Sequence, residues 1–236
     1  MTIKALKQSL QGATAQEIIK TALDTFADRL VIASSLGPED QVITHMALQI
    51  AKKKYQKCRI FILETGRLHQ ETLDVMTKTQ EKYTMTYEII TPNKEAVNNL
   101  IKNKGEFSFY ESIENRKECC YIRKVAPLKQ ILTTADAWIT GQRKEQSVTR
   151  SDLANIEWDA DNKKTKFNPL VAWSDDNVWS YIKEHQIPYN PLHDKGYPSI
   201  GCEPCTRAIK PDEDPRAGRW WWESADQKEC GLHLKS

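Results

Sequence analysis

Six cysteines occur in this chain of 236 residues, and their spacing is the first feature with chemical meaning. Cys202 and Cys205 form a Cys-x-x-Cys pair inside Gly201-Cys202-Glu203-Pro204-Cys205, a spacing that can direct two thiolates into one small volume. Cys119 and Cys120 are adjacent, and Cys230 stands near the end in Glu229-Cys230-Gly231-Leu232-His233. Two pairs of thiols make a four-sulfur cage, which zinc and an iron-sulfur cluster both accept. Adjacent side chains diverge by about 100° on a helix, a poor fit around one zinc ion and a better one for the separate corners of a cubane. On spacing alone both metals stay open. Cys58, just before an apolar run, reads as structural. Cys230 has another character: it lies on a terminal segment that can move, with Lys228 and His233 close by to favour a thiolate nucleophile.

These thiols need a scaffold, and the totals bound it. Charged residues make up 28% of the chain and the formal net charge is +2, too little to argue for nucleic acid. No apolar run approaches the roughly 20 residues of a membrane span. The start, Met1-Thr2-Ile3-Lys4-Ala5-Leu6-Lys7, has no secretory-signal pattern. The expectation is a soluble, cytoplasmic protein with no membrane partner, in which cysteines serve as ligands or nucleophiles rather than disulfides.

A capping box at Thr14-Ala15-Gln16-Glu17 predicts a helix to about Phe26, and Leu30-Val31-Ile32-Ala33 predicts a buried parallel strand. The strand runs into Ser34-Ser35-Leu36-Gly37-Pro38-Glu39-Asp40, where Gly37 permits a tight turn and Pro38 suits a first helical turn. Backbone N–H groups and a helix dipole would then favour an anion there, although many parallel sheets carry such a loop as a plain turn. Arg59–Leu63 is a second strand, closed by Glu64-Thr65-Gly66-Arg67 and a helix over 68–82. Met85–Ile90 is a third, with Thr91-Pro92 opening the next helix. Cys119-Cys120 introduces a helical stretch interrupted at Pro127, with Lys124 one turn past Cys120. A strand over Ala137–Thr140 leads to Gly141, Arg143, Lys144, Gln146 and Arg150, and a capped helix starts near Ser174. Beyond Ile187 little regular structure is expected. Arg216 and Arg219 stand beside Trp220-Trp221-Trp222, as an anion grip or as a simple aromatic anchor. The pattern predicts a doubly wound, mostly parallel α/β fold with ligands beyond the strands' carboxyl ends. One main domain over 1–210 would carry the strand-end loops and the paired cysteines, and a mobile, irregular C-terminal segment over 211–236 the reactive cysteine.

The order of the double cysteine, the later Cys-x-x-Cys and the terminal Glu-Cys-Gly-Leu-His, with the loops above, resembles the adenylylsulfate and phosphoadenylylsulfate (PAPS) reductase family, and within it the cluster-bearing assimilatory adenylylsulfate (APS) reductases. The resemblance runs from Ser34 to His233. It implies a modified PP-loop domain of the adenosine nucleotide α-hydrolase type and a 4Fe-4S cluster on Cys119, Cys120, Cys202 and Cys205. It implies substrate contacts from Ser34, Ser35, Gly37, Glu39, Asp40, Thr65, Gly66, Arg67, Lys124, Gly141, Arg143, Gln146, Arg150, Arg216, Arg219 and His233. The implied reaction is thiol-dependent reduction of adenosine phosphosulfate to sulfite and AMP through an S-sulfonate on Cys230. Thioredoxin or glutaredoxin would be the reductant and a homo-oligomer the assembly. One departure is Glu64, where related members often carry aspartate. The neighbouring alternatives are a phosphoadenylylsulfate or dual-substrate reductase and, from another class, a zinc-stabilised nucleotide- or RNA-binding module.

Overall fold

The computed structural model describes residues 2–54, 57–146 and 152–224. A short α1 (Ile3–Ser9) precedes α2 (Ala15–Phe26), whose capping box is formed: the Glu17 N–H donates to Thr14 Oγ1 at 3.3 Å and the Thr14 N–H donates to Glu17 Oε2 at 2.7 Å. Ile18, Ile19, Ala22 and Leu23 recur at helical spacing and are buried, so α2 turns one apolar stripe to the core. Strands and helices then alternate as β1 (Leu30–Ser34), α3 (Pro38–Lys54), β2 (Ile60–Leu63), α4 (Gln70–Tyr83), β3 (Glu88–Ile90) and α5 (Lys94–Lys104). They continue as α6 (Ile113–Cys120), α7 (Ala126–Leu132), β4 (Ala137–Ile139), β5 (Ile156–Asp159), β6 (Lys164–Phe167) and α8 (Asp175–Glu184), the last capped by Ser174 as expected.

The six strands make one sheet in the order β3-β2-β1-β4-β6-β5. β1 is parallel to β2 (Ala33 opposite Phe61) and to β4 (Val31 opposite Trp138), β4 is parallel to β6, and β5 closes the edge antiparallel to β6. The chain leaves β1 to one side for β2 and β3 and returns to its other side at β4. That reversal is a topological switch point, where open α/β sheets bind ligands. The described residues form two compact units. The first lies within Met1–Ile62, Val75–Glu88 and Leu132–Tyr189, with a core that includes Ile19, Val31, Ile43, Ile139 and Phe167. The second lies within Leu63–Asp74, Ile89–Ile131 and Asn190–Ser236, with a small core of Leu100, Phe109, Trp220 and four cysteines.

Four local expectations need correction. The turn after β1 places its positive φ on Leu36 (63°), not on Gly37. β3 is shorter than Met85–Ile90 because the Met85 N–H bonds to Gln80 O and so finishes α4. Asn93, not Thr91, caps α5: its side chain accepts from the Ala96 N–H at 2.9 Å, which leaves Pro92 outside the helix. Cys119 and Cys120 end a helix rather than begin one. α6 starts after Ser112, whose hydroxyl accepts from the Asn115 N–H, and a wide π turn over Tyr121–Val125 joins it to α7. Pro127 is the second residue of α7, where the widened backbone accommodates a residue that lacks an N–H. The β5–β6 hairpin is an addition that the sequence reading lacked. Its signal was the alternation of Ile156 with Glu157 and an Asx turn in which the Asn162 N–H donates to Asp159 Oδ1.

Thr14→Ala removes one half of the capping box that starts α2, and about 1 kcal/mol of stability should go with it. Urea unfolding should show the loss, while Thr14→Ser should retain most of the wild-type midpoint.

Candidate functional site

In the first unit, the loops that follow β1 and β4 meet because those strands are neighbours. Ser34 is buried and its hydroxyl accepts from the Leu36 N–H at 3.2 Å. Both the N–H and the hydroxyl of Ser35 donate to Asp40 Oδ2 at 2.6 Å. Gly141 lies so close that a Cβ there would collide with the Asp40 carboxylate and the Glu39 side chain, so only glycine fits. Gln146 braces this loop by accepting from the Arg143 N–H at 3.1 Å. Arg143 is buried, and its guanidinium donates to Glu39 Oε1 (2.8 Å), Trp173 O (3.1 Å) and Asp175 Oδ1 (2.8 Å). Its charge thus ties α3 to α8.

Burial pushes the Asp40 carboxyl up to about 6, against the pull of the two Ser35 donors and the Gly141 N–H.

In the second unit, Cys119, Cys120, Cys202 and Cys205 are all buried and line one pocket with Arg67, Phe109, Arg116, Arg123, Lys124 and Trp220. α6 and the π turn present Cys119, Cys120, Arg123 and Lys124 on successive turns, and Cys202–Cys205 is a tight turn in which the Cys205 N–H donates to Cys202 O at 2.9 Å. Gly201 admits the Arg219 guanidinium where a Cβ would stand. Thr65 and Arg67, expected at the nucleotide, belong to this pocket's surroundings. The Thr65 hydroxyl is 3.4 Å from Cys202 Sγ, and its carbonyl accepts from Arg123 Nη1 at 2.7 Å. Gly66 donates its N–H to Glu64 at 2.6 Å, and Arg67 donates to Glu106 O at 2.6 Å under the Phe109 ring. Arg219 is buried, bonds Ser199 and Ile200 O, and lies over the Trp220 indole. Arg216 is half-buried beside Asp214. Cys230, His233 and Arg150 lie outside the described residues.

The electrostatics of the four thiols are uneven. Burial pushes Cys205 up to about 12, with the neighbouring cysteines adding to the rise. Burial also raises Cys119, although Arg123 and Arg67 oppose it. Cys202 is buried too, yet Lys124, the Thr65 hydroxyl and Arg219 hold it below the ordinary thiol range. Among the described residues no three His, Cys, Asp or Glu side chains converge on a single-ion site. Two buried donors of the pocket residues, Arg123 Nε and Trp220 Nε1, have no hydrogen-bond partner. A guest rich in acceptor sulfur fits that donor set.

The sequence reading missed Arg116 and Arg123. Their signal was a spacing of four, Arg116 to Cys120 and Cys119 to Arg123, which brings side chains together on a helix. It also missed Glu223, which pairs with Arg116.

Residues 29–208 match the model of the phosphoadenosine phosphosulfate reductase domain. The chain belongs to that family. A relative from Burkholderia cepacia, named adenosine 5'-phosphosulfate reductase, is 52% identical over 88% of this chain and 81% of its own length. One of the same name from Pseudomonas aeruginosa (strain LESB58) is 44% identical over 98% of this chain and 86% of its own. Among solved structures, a phosphoadenylyl-sulfate (PAPS) reductase from Candida auris is similar with a TM-score of 0.72 and 28% identity, over 88% of this chain and 96% of that one. A Candida glabrata FMN adenylyltransferase, 15% identical over 96% of this chain and 75% of that one, shares the fold alone at a TM-score of 0.58. The expected α/β nucleotide-hydrolase-like fold therefore holds, and the protein is an oxidoreductase of this family. No helix among the described residues is long and apolar enough to cross a membrane.

Asp40 gives the first unit a pH signature. Its carboxyl ionises near 6 in the folded chain and near the ordinary aspartate value of 3.8 in the unfolded one, so the folded state binds the extra proton between those values. Its contribution to stability therefore falls as pH rises through that window. Asp40→Asn should match wild type in urea at pH 3.5 and exceed it at pH 7; equal midpoints at both pH values would contradict the assignment.

Proposed function

We propose that the protein is an assimilatory adenylylsulfate reductase, which converts adenosine phosphosulfate to sulfite and AMP with electrons from protein thiols. The observation that carries this reading is the buried four-cysteine pocket lined by Arg67, Arg116, Arg123 and Lys124, in a chain 44–52% identical to relatives of that name.

The loops of the first unit supply the groups for the nucleotide: Ser34, Ser35 and Gly37 after β1, and Gly141 to Gln146 after β4, with Glu39 and Arg143 holding the two loops together. Thr65, Gly66 and Arg67, and Arg150, which lies outside the described residues, are the further residues proposed for the substrate from the family resemblance. Lys124, Arg216, Arg219 and His233 are the groups proposed for the sulfate, where attack of an anion on an anion requires local positive charge.

Cys230 is the proposed nucleophile. Its thiolate attacks the sulfuryl sulfur, the bond from that sulfur to the phosphate oxygen breaks, and AMP leaves with the electron pair. A thiolate of thioredoxin or glutaredoxin then attacks Cys230 Sγ and displaces sulfite, leaving a mixed disulfide that a second thiol resolves. Two thiols are oxidised and the sulfur is reduced by two electrons. Cys119, Cys120, Cys202 and Cys205 would hold a 4Fe-4S cluster, which when bound supplies fixed charge and acceptor sulfur rather than these electrons. The unpartnered donors of Arg123 and Trp220 suit such a guest better than a zinc ion enclosed by the same four sulfurs. A cytoplasmic setting and a homo-oligomeric assembly complete the reading.

Cys230→Ser should abolish sulfite release while leaving AMP affinity within about twofold of wild type by calorimetry, since the nucleophile is not part of the nucleotide site; sustained turnover would remove the nucleophile assignment. Purified protein should be brown and contain iron and acid-labile sulfide in equal amounts, and a colourless zinc protein with full activity would sink the cluster assignment. Assayed side by side, adenosine phosphosulfate should give sulfite at a higher kcat/KM than its 3'-phosphorylated analogue. The reverse preference would assign the neighbouring PAPS reductase activity instead.

A further inference from the structure

Arg116 is a pocket cation whose charge is matched by a buried carboxylate. Its side chain and that of Glu223 are 0% and 3% exposed, with Arg116 Nε 2.9 Å from Glu223 Oε1 and Nη2 2.6 Å from Oε2. The carboxylate that faces Arg67, Glu106 at 3.9 Å, is exposed by comparison. Pairing through Nε and Nη2 occupies one edge of a guanidinium and leaves the Nη1 edge for a second acceptor. That acceptor is the Cys120 side chain, one turn further along α6 and hydrogen-bonded by the same group. The Trp220 indole closes a third side, its ring centroid 4.7 Å from Arg116 Cζ. A buried pair of this kind adds little net stability over an apolar replacement of the same shape, so stability does not account for it. What it does is aim a donor: Glu223 balances the charge and fixes the fork, and the free edge meets one pocket thiol.

We propose that Arg116 and Glu223 are positioning residues for the metal group, the guanidinium donating an N–H···S hydrogen bond to Cys120 as a ligand and Glu223 holding it in that orientation. This rests on the reading of the four cysteines as ligands of a 4Fe-4S cluster. Donors of this kind orient a ligand side chain and draw electron density from its sulfur. Lys124 and Arg219 act on Cys202 largely as charges. The Arg116–Glu223 pair is neutral as a whole, so it alters the bond made by Cys120 without adding net charge to the pocket. Its effect therefore falls on how firmly that one sulfur holds the metal group and not on the nucleotide loops of the first unit.

Holoenzyme carrying Arg116→Met together with Glu223→Met tests this, because removing both partners leaves no buried charge unpaired. Arg116→Lys is the second variant: it keeps an ion pair with Glu223, but an ammonium lacks the rigid fork that serves carboxylate and sulfur together. Both should keep urea midpoints and AMP affinity near wild type. In both, iron should pass to an excess of a ferrous chelator about tenfold faster. The Fe–S(Cys) stretching band in resonance Raman should move to higher frequency, since loss of the N–H···S bond returns electron density to the iron–sulfur bond. A folded variant with intact AMP affinity that takes up no iron is the same result in its limit. An unmoved band in folded, iron-loaded variants overturns the proposal whatever the rate of iron release. Loss of folding or of AMP affinity in both variants overturns it as well, because the pair would then hold the fold together and not a ligand. Wild-type protein without iron and acid-labile sulfide shows the separate failure of the cluster reading, measured before any variant is made.

Discussion

Four thiols buried in one pocket repel one another as soon as more than one ionises, and the second unit is arranged around that cost. Two like charges about 4 Å apart interact by about 4 kcal/mol at an effective dielectric of 20. The result is visible in Cys205, pushed up to about 12 by burial and by its neighbours, against Cys202, held down by Lys124 and Thr65. Cations must therefore be buried with the sulfurs, and each buried cation needs its own support. Arg67 finds it in the Glu106 carbonyl and the face of Phe109, Arg123 in the Thr65 carbonyl, and Arg116 in the Glu223 carboxylate. The charged lining and the aromatic wall are thus one network.

The first unit solves a different problem with the same residue types. Arg143 was expected to grip an anion directly, and its guanidinium instead meets Glu39, Trp173 O and Asp175. An arginine so engaged fixes the relation between the loop after β4 and the start of α3, and under the proposed function recognition of a phosphate would fall to backbone N–H groups and the helix terminus. Gly141 and Asp40 make that closeness obligatory, since a side chain at Gly141 has no space. Arg143 holds the two loops in place here, and a count of loop arginines does not distinguish such a positioning role from direct contact with an anion.

The legible part of the sequence was the part governed by local rules. The capping box at Thr14, the capped helix start at Ser174, the parallel strands β1, β2 and β4, and the pairing of Cys119-Cys120 with Cys202 and Cys205 in one pocket follow from propensity, apolar runs and spacing. The illegible part depended on competition between near-equal choices. Asn93 wins the cap from Thr91 because its carbonyl reaches the Ala96 N–H. A π turn absorbs the problem of Pro127 two residues before the proline, so the helix boundary falls where no residue type announces it. The Arg116–Glu223 contact joins residues 107 apart in sequence, and no local pattern encodes such a partner.

The burial of the cysteines also bears on which sulfur reacts. A nucleophilic thiol must ionise near neutral pH and be reached by substrate and by a second thiol. Cys58 is pushed up to about 12 by burial, and burial raises Cys119 and Cys205. Cys120 is buried beside them. Cys202 is drawn toward its anion, yet it is buried, and the charges that draw it, Lys124 and Arg219, together with the Thr65 hydroxyl, are those that suit a ligand. A pocket built to hold sulfur in place works against the mobility that two successive attacks require. The chemistry of the described cysteines is consistent with the proposed division of labour, in which these four sulfurs are ligands and Cys230, outside the described residues, is the nucleophile.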